Sequence, residues 1–228
     1  MEIEKVITAL VPMRHHSQRV VGKNYRLLAG RPLYEYIIQN LLDCPEIQAV
    51  VVDTDSPPVM EGLQKDFPQV RILERPEYLR YDHVPMNEIL AYDVSQVKSD
   101  LYLQTHSTNP LLSSATISRA IGILLQNYPA YDSLFSVTRI QTRLWDQLGR
   151  AINHNPAILL QTQDLPPVFS ENSCIYIFSA ETLLARRNRL GDRSMMFEID
   201  PEEAWDIDNE FDFQIAEFLM LQKSKTKE

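Results

Sequence analysis

Two groups of residues near the ends of the 228-residue sequence have types and spacings that can do chemistry. Near the amino end, Arg14, Ser17, Lys23 and Asn24 fall in the run PMRHHSQRVVGKN. Between Lys5 and Tyr34 there is no acidic residue, while Lys5, Arg14, Arg19, Lys23, Arg26 and Arg31 are all present. In a chain of net charge -9, such a basic island suggests a local anion site, although a solvated loop can have the same composition. An arginine forks two hydrogen bonds onto phosphate oxygens and a lysine adds a compact charge. A serine hydroxyl and loop N–H groups can complete the cradle. The spacing matches neither the GxxxxGKS phosphate loop nor the GxGxxG fingerprint. His15 and His16 are adjacent, so they do not face one cation; a surface role or a loop position near phosphate remains for them. Near the carboxyl end, WDIDNEFDF carries Asp206, Asp208, Glu210 and Asp212. In an extended D-x-D both aspartates lie on one side of the chain, and two carboxylates beside phosphates make a hard-oxygen site suited to Mg²⁺. Asp208 or Asn209 can equally cap the helix that follows.

These groups need elements to position them. KVITALV (5–11), AVVVDTD (49–55), VRILE (70–74), DLYLQTH (100–106) and SLFSVTR (133–139) are short apolar runs suited to buried parallel strands. Helical periods lie between them: Leu33, Tyr36, Ile37 and Leu41; Val59, Met60, Leu63 and Phe67; Ile89, Leu90, Val94 and Val97; Ile117, Ile121, Leu124 and Leu125. This alternation predicts an α/β fold, a three-layer, Rossmann-like, mostly parallel sheet with helices on both faces. In such sheets ligands bind beyond the carboxyl ends of the strands, where the basic loop follows the first strand. Residues 140–170 lose the pattern and contain Pro156, Pro166 and Pro167. A structureless loop of that length is uncommon in a compact domain, so an extension packed on a second subunit is the alternative. SCIYIFSAE (173–181) then predicts a strand and ETLLARRN (181–188) a helix. A last helix over 209–222 places Phe211, Ile215, Phe218 and Leu219 on one face, and KSKTKE is a polar, frayed tail.

A hydrophobic fraction of 44% supports one folded domain over 1–228. The acidic balance argues against nucleic-acid and anionic-membrane binding. The amino terminus begins acidic, its apolar run is short, and no stretch is long enough for a membrane span, so a cytoplasmic protein is expected. Cys44 and Cys174 sit in apolar surroundings and read as buried, reduced thiols.

The run VPMRHHSQRVVGKNYRLLAGRPLYEYII resembles the amino-terminal signature of the CMP-N-acylneuraminate cytidylyltransferase family. That signature is R-x-x-S, five residues, K-N, then G-x-P-L and a helix. Arg14, Ser17, Lys23, Asn24, Gly30, Pro32 and Leu33 match in register. The octet DIDNEFDF is similar to the family's D-I-D-T-E-x-D-F. The resemblance implies that Arg14 and Lys23 hold the triphosphate of CTP, with Ser17 in the cradle and Asn24 by the base, and that Asp206 and Asp208 bind Mg²⁺. It also implies transfer of CMP to the anomeric hydroxyl of an acidic, nonulosonic sugar, release of pyrophosphate, and a homodimer interlocked through 140–170.

Weaker correspondences fill the site. ERPEYLRYD resembles the family's R-P-x-x-L-x-x-D and places Arg75 in the nucleotide pocket. The family's following serine, which meets cytosine, is absent; Asn87 is the candidate replacement. LQTHSTNPLL resembles L-Q-P-T-S-P-L with extra residues, which offers Gln104 to the sugar; a buried, satisfied glutamine is the alternative. FSENSCIYIF resembles F-x-x-N-G-A-I-Y-I and offers Asn172. Ser170 stands where sialic-acid enzymes commonly carry an arginine, which leaves Kdo, pseudaminic acid, legionaminic acid or a phosphonate open as acceptor. Another nucleoside triphosphate, or a nucleotide-binding module without turnover, are further alternatives. Asp55 ends the second strand and reads equally as a site residue or a helix cap.

Overall fold

The computed structural model describes residues 5–225. The acidic start of the chain and the last three residues of the expected polar tail lie outside the described residues. Strands β1 (Ile7–Met13), β4 (Ala49–Thr54), β5 (Arg71–Glu74), β6 (Leu101–Gln104), β7 (Ser133–Ile140), β8 (Val168–Phe178) and β9 (Ser194–Glu198) form a seven-stranded sheet. Their order is β5-β4-β1-β6-β8-β7-β9. β8 alone runs against the others, pairing antiparallel with β6 and β7. A two-stranded hairpin, β2 (Leu27–Leu28) and β3 (Arg31–Pro32), lies apart from the sheet.

The central strands are apolar on both faces because helices cover both. On β1, Ile7, Ala9, Val11 and Met13 pack into one core, with α1 (Leu33–Leu42), α2 (Pro57–Asp66) and α4 (Ser114–Asn127). Leu10 points the other way, into a second core with α3 (Met86–Gln96) and α5 (Ala180–Arg186). β4 repeats this with Val50 and Val52 against Val51, and β8 with Ile175 and Ile177 against Tyr176 and Phe178. Alternation of period two on a doubly covered sheet therefore reads in the sequence as an unbroken hydrophobic run.

Helix α6 (Glu210–Lys225) departs from the expected face. Phe213 and Ala216 are buried, with Met220 packed beside them, whereas Phe211 and Phe218 are exposed. The helix is apolar on more than one side, so periodicity alone admits two docking faces. The chosen face closes a small third core with Val20, Leu28, Leu33, Tyr36 and Ile207. This core brings the basic loop and the carboxyl-terminal D-I-D run together.

Between β7 and β8 the chain is largely irregular. It contains a single Trp145–Ala151 bridge and a short helical turn at Thr162–Asp164. β9, in the run SMMFE, has no sequence signature of its own; it is a strand because it pairs with β7 from Ser133↔Ser194 to Val137↔Glu198.

Candidate active site

At the carboxyl ends of β1 and β6 the protein has a cleft of about 640 Å³. Arg14, Ser17, Lys23, Asn24, Arg75, Asp206 and Asp208 all line it. The D-I-D run reaches it by strand-like alternation. Ile207 is fully buried in the third core, and its N–H donates to the Thr108 carbonyl at 3.0 Å. The aspartates on either side of it turn to the cleft. The expected cap is Asn209, whose side chain accepts from the N–H groups of Phe211 and Asp212. The Asp212 carboxylate accepts from the N–H groups of Asp208 and Asn209, both at 3.0 Å, and so fixes the backbone under Asp208.

The basic loop is tied down along its length. Gly22 adopts φ 65°, which turns the chain into the short helix Lys23–Tyr25. A Cβ there would lie 2.8 Å from the Tyr25 ring, so both conformation and space favour glycine. Lys23 Nζ donates to the Ile207 carbonyl at 2.6 Å, and Arg19 pairs with Asp208 at 2.6 Å. Arg14 pairs with Asp82, which also accepts from Gln18. Asn24 is buried; its amide donates to the Arg14 carbonyl at 2.8 Å and its oxygen accepts from Ser107 Oγ at 2.7 Å. That side chain ties the loop to the segment after β6. Ser17 Oγ accepts from the Val20 N–H at 3.4 Å. Asp55 accepts from the His15 N–H at 2.7 Å, so it anchors the loop rather than capping α2. The His15 ring meets Ser56 Oγ at 2.9 Å and stacks on Tyr25, while His16 lines the cleft.

Charges of both signs are strained here. Burial lowers the pKa of Lys23, opposed by Asp206 and Asp208. Removal of water by the surrounding protein raises that of Asp206, a hydrogen bond from Thr108 opposes this, and repulsion from Asp208 adds to the rise. Two carboxylates that repel each other in a partly dry wall suit a divalent cation. Among the described residues no group of three or more His, Cys, Asp or Glu gathers around one point. Asp206 and Asp208 are the residues here that could hold such a cation, and their carboxylate oxygens are of the hard type that Mg²⁺ prefers.

Arg75, 3% exposed, is held by Asp53 at 2.7 Å. Behind Asp53 lies Asp93 on α3, also buried, whose carboxyl meets Asp53 and, among the described residues, has no basic partner of its own. Burial, and then Asp53, push the Asp93 carboxyl far above the usual range.

Three expected residues do not line the cleft. Asn87, in the first turn of α3, has a buried, unpaired side-chain oxygen. Gln104 is fully buried and bonded to Thr105, His106 and Arg189. Asn172 sits where β8 breaks register against β7. It accepts from Ser136 Oγ at 2.5 Å and donates to Thr138 at 2.9 Å. That irregularity turns Ser173, at φ 59°, into the cleft lining. Sequence reasoning placed Arg19 only within the basic island and gave no role to His106, Ser107, Thr108 or Asn109; all five line the cleft. The extra residues in LQTHSTNPLL were the available signal.

A mostly parallel α/β sheet gathers a cationic loop and a pair of carboxylates into one cleft at its carboxyl edge, where sheets of this kind receive ligands. Residues 8–225 match the model of the family described as Cytidylyltransferase, and the chain belongs to that family. It is 26% identical over 222 residues to N-acylneuraminate cytidylyltransferase A of Danio rerio, covering 94% of this chain and 51% of that one. It is 26% identical over 232 residues to the N-acylneuraminate cytidylyltransferase of Escherichia coli O18:K1:H7, covering 97% and 54%. The chain thus spans about half the length of these two relatives. It is also 28% identical over 231 residues to the CMP-N,N'-diacetyllegionaminic acid synthase of Legionella pneumophila, covering 94% and 96%. A solved CMP:2-keto-3-deoxy-manno-octonic acid synthetase complexed with CTP shares the fold with a TM-score of 0.73 at 17% identity, covering 96% and 99%.

Proposed function

We propose that the protein transfers CMP from CTP to the anomeric hydroxyl of an acidic nonulosonic sugar and releases pyrophosphate. The observation that carries this reading is that Lys23 and Arg19 meet the Asp206–Asp208 run across one cleft. The names of the relatives support it: they act on N-acylneuraminate and diacetyllegionaminic acid.

In this reading CTP lies over the loop at 14–24, with its base toward Arg75 and the backbone held by Asn24. The acceptor hydroxyl oxygen bonds to the α-phosphorus, the bond to the bridging oxygen breaks, and the hydroxyl proton leaves to solvent. Arg14 and Lys23 meet the charge that grows on the departing pyrophosphate, and Ser17 adds a hydroxyl to the cradle. Asp206 and Asp208 would hold Mg²⁺, which when bound supplies a Lewis acid that neutralises phosphate oxygens. The protein's own share is placement and charge.

The chemistry is also open to other acceptors. Ser170 is exposed on β8 and carries no charge, which favours testing Kdo, pseudaminic and legionaminic acids and a phosphonate beside N-acetylneuraminate. Pyrophosphate release from CTP and Mg²⁺ against this panel tests the reading. Release with at least one acid is expected; silence with every acid, or equal release from any nucleoside triphosphate, overturns it.

We further propose a homodimer joined through 140–170. Trp145, Leu148, Ile152 and Ile158 are exposed there, and Leu159 is 90% exposed, so apolar surface is left for a partner to cover. We also propose a cytoplasmic site of action; no helix among the described residues is long and apolar enough to cross a membrane.

A further inference from the structure

Arg189 follows α5, is half-buried, and stands behind the residues that line the cleft. Its guanidinium donates to Gln104 Oε1 at 2.6 Å and lies 3.5 Å from the centre of the Tyr176 ring. Both supports lead to the cleft wall. Gln104 Nε2 meets His106 Nε2 at 3.1 Å, and the Tyr176 hydroxyl meets Ser173 Oγ at 3.1 Å. His106 and Ser173 line the cleft.

Among the described residues no carboxylate forms a direct ion pair with Arg189; Tyr176 and, at longer range, Glu171 favour its charge. The nearby Glu171 carboxylate accepts instead from the Tyr176 hydroxyl. By contrast the other deeply placed arginine, Arg75, has Asp53. Burial lowers the Arg189 pKa, yet a guanidinium does not give up its proton in a protein. The half-dry cation therefore keeps its charge, only partly offset by Tyr176 and Glu171, and an anion placed against it would supply the direct partner it lacks. His106 does not add to the charge: burial, then Arg189 and Lys23, bring its pKa down to about 4.

We propose that Arg189 is the specificity-determining residue that binds the acceptor's carboxylate, with Gln104 and Tyr176 as positioning residues that hold its guanidinium. This rests on the functional reading above and names the chemistry of its second substrate: a 2-ulosonic acid. In such an acid the carboxylate is bonded to the same carbon as the attacking hydroxyl. Its anchor must lie beside the point of attack, at the end of β6, where Gln104 holds Arg189. Gln104 uses one of the five guanidinium N–H donors, which leaves enough for a two-pronged grip on a carboxylate.

The test compares wild type with Arg189→Gln. Pyrophosphate release is followed with the acid that works best in the panel and with its carboxamide. The acceptor KM of the variant is expected to rise on the order of 10–100-fold, the CTP KM to stay within about twofold, and the preference for acid over carboxamide to vanish. An unchanged acceptor KM, or a preference kept by the variant, overturns the proposal. If Arg189→Gln does not fold, Arg189→Lys keeps the charge and loses the fork; its acceptor KM must still rise at least about threefold. If wild type binds CTP but turns over no acid, the functional reading fails by itself. Titration of the same acids into wild type and Arg189→Gln then decides the anion site, which is overturned where neither protein binds or both bind alike.

Discussion

The loop at 14–24 and the segment at 141–167 are both irregular, yet they are held in opposite ways. The loop is bonded to distant parts of the chain: Arg19 to Asp208, Lys23 to Ile207, Asn24 to Ser107 and Arg14 to Asp82. The segment's side chains bond mainly within the segment itself. Gln141 reaches Leu165, Arg143 reaches Leu160, and Asn153 binds Thr142, Leu144 and Pro166. Leu165 is buried at its base, but its larger apolar residues face water. The loop is finished by its own chain, as a preorganised site requires. The segment is locally shaped and leaves an apolar surface to be covered.

Substitutions separate the two. The largest effect is expected at Asp208→Asn, which keeps the shape of the loop's far anchor and removes its charge. Mg²⁺-dependent pyrophosphate release should fall on the order of 10³-fold, with the melting temperature nearly unchanged. Next comes Ile207→Ala. Ile207 is the side chain that sets both aspartates toward the cleft, and removing it from the third core should cost about 2–5 kcal/mol in denaturant unfolding. In the segment, Leu159→Asp should cost under about 0.5 kcal/mol in the monomer, because that side chain is already in water, but should halve the mass seen by light scattering. Equal loss of stability at Ile207 and Leu159 would erase the contrast.

A further effect, which depends on pH, concerns the support of Arg75. The unfolded Asp93 carboxyl loses its proton near pH 4, whereas the buried one keeps it well above that. The unfolded state then binds fewer protons, so stability falls as pH rises above about 4. Asp93→Asn imitates the protonated acid and offers an amide donor to Asp53 in its place. It should raise stability by about 1–3 kcal/mol at pH 8 and by less at pH 5, read from melting curves.

The sequence made the parallel strands legible because a doubly covered strand needs an unbroken apolar run, as in ITALVPM and AVVVDT. It hid β9, whose strand state comes from β7, and the buried face of α6, which is decided by what Val20 and Ile207 present to it. In the site, residues with a motif spacing were legible: Arg14, Lys23, Asp206 and Asp208 line one cleft. Arg19, Thr108 and Arg189 were not, since each gains its place from a contact far along the chain. Gln104 and Asn172 were singled out by motif, and the structure places them in supporting positions behind the wall.

The central claim is that the basic loop and the paired aspartates grip one nucleotide between them. Titration of CTP, with and without Mg²⁺, into wild type, Lys23→Ala and Asp208→Asn tests it most directly. Mg²⁺ should tighten CTP binding to wild type at least about tenfold, Asp208→Asn should abolish that gain, and Lys23→Ala should weaken binding with and without the cation. CTP binding that is indifferent to Mg²⁺ in wild type, or untouched by either substitution, would contradict the account.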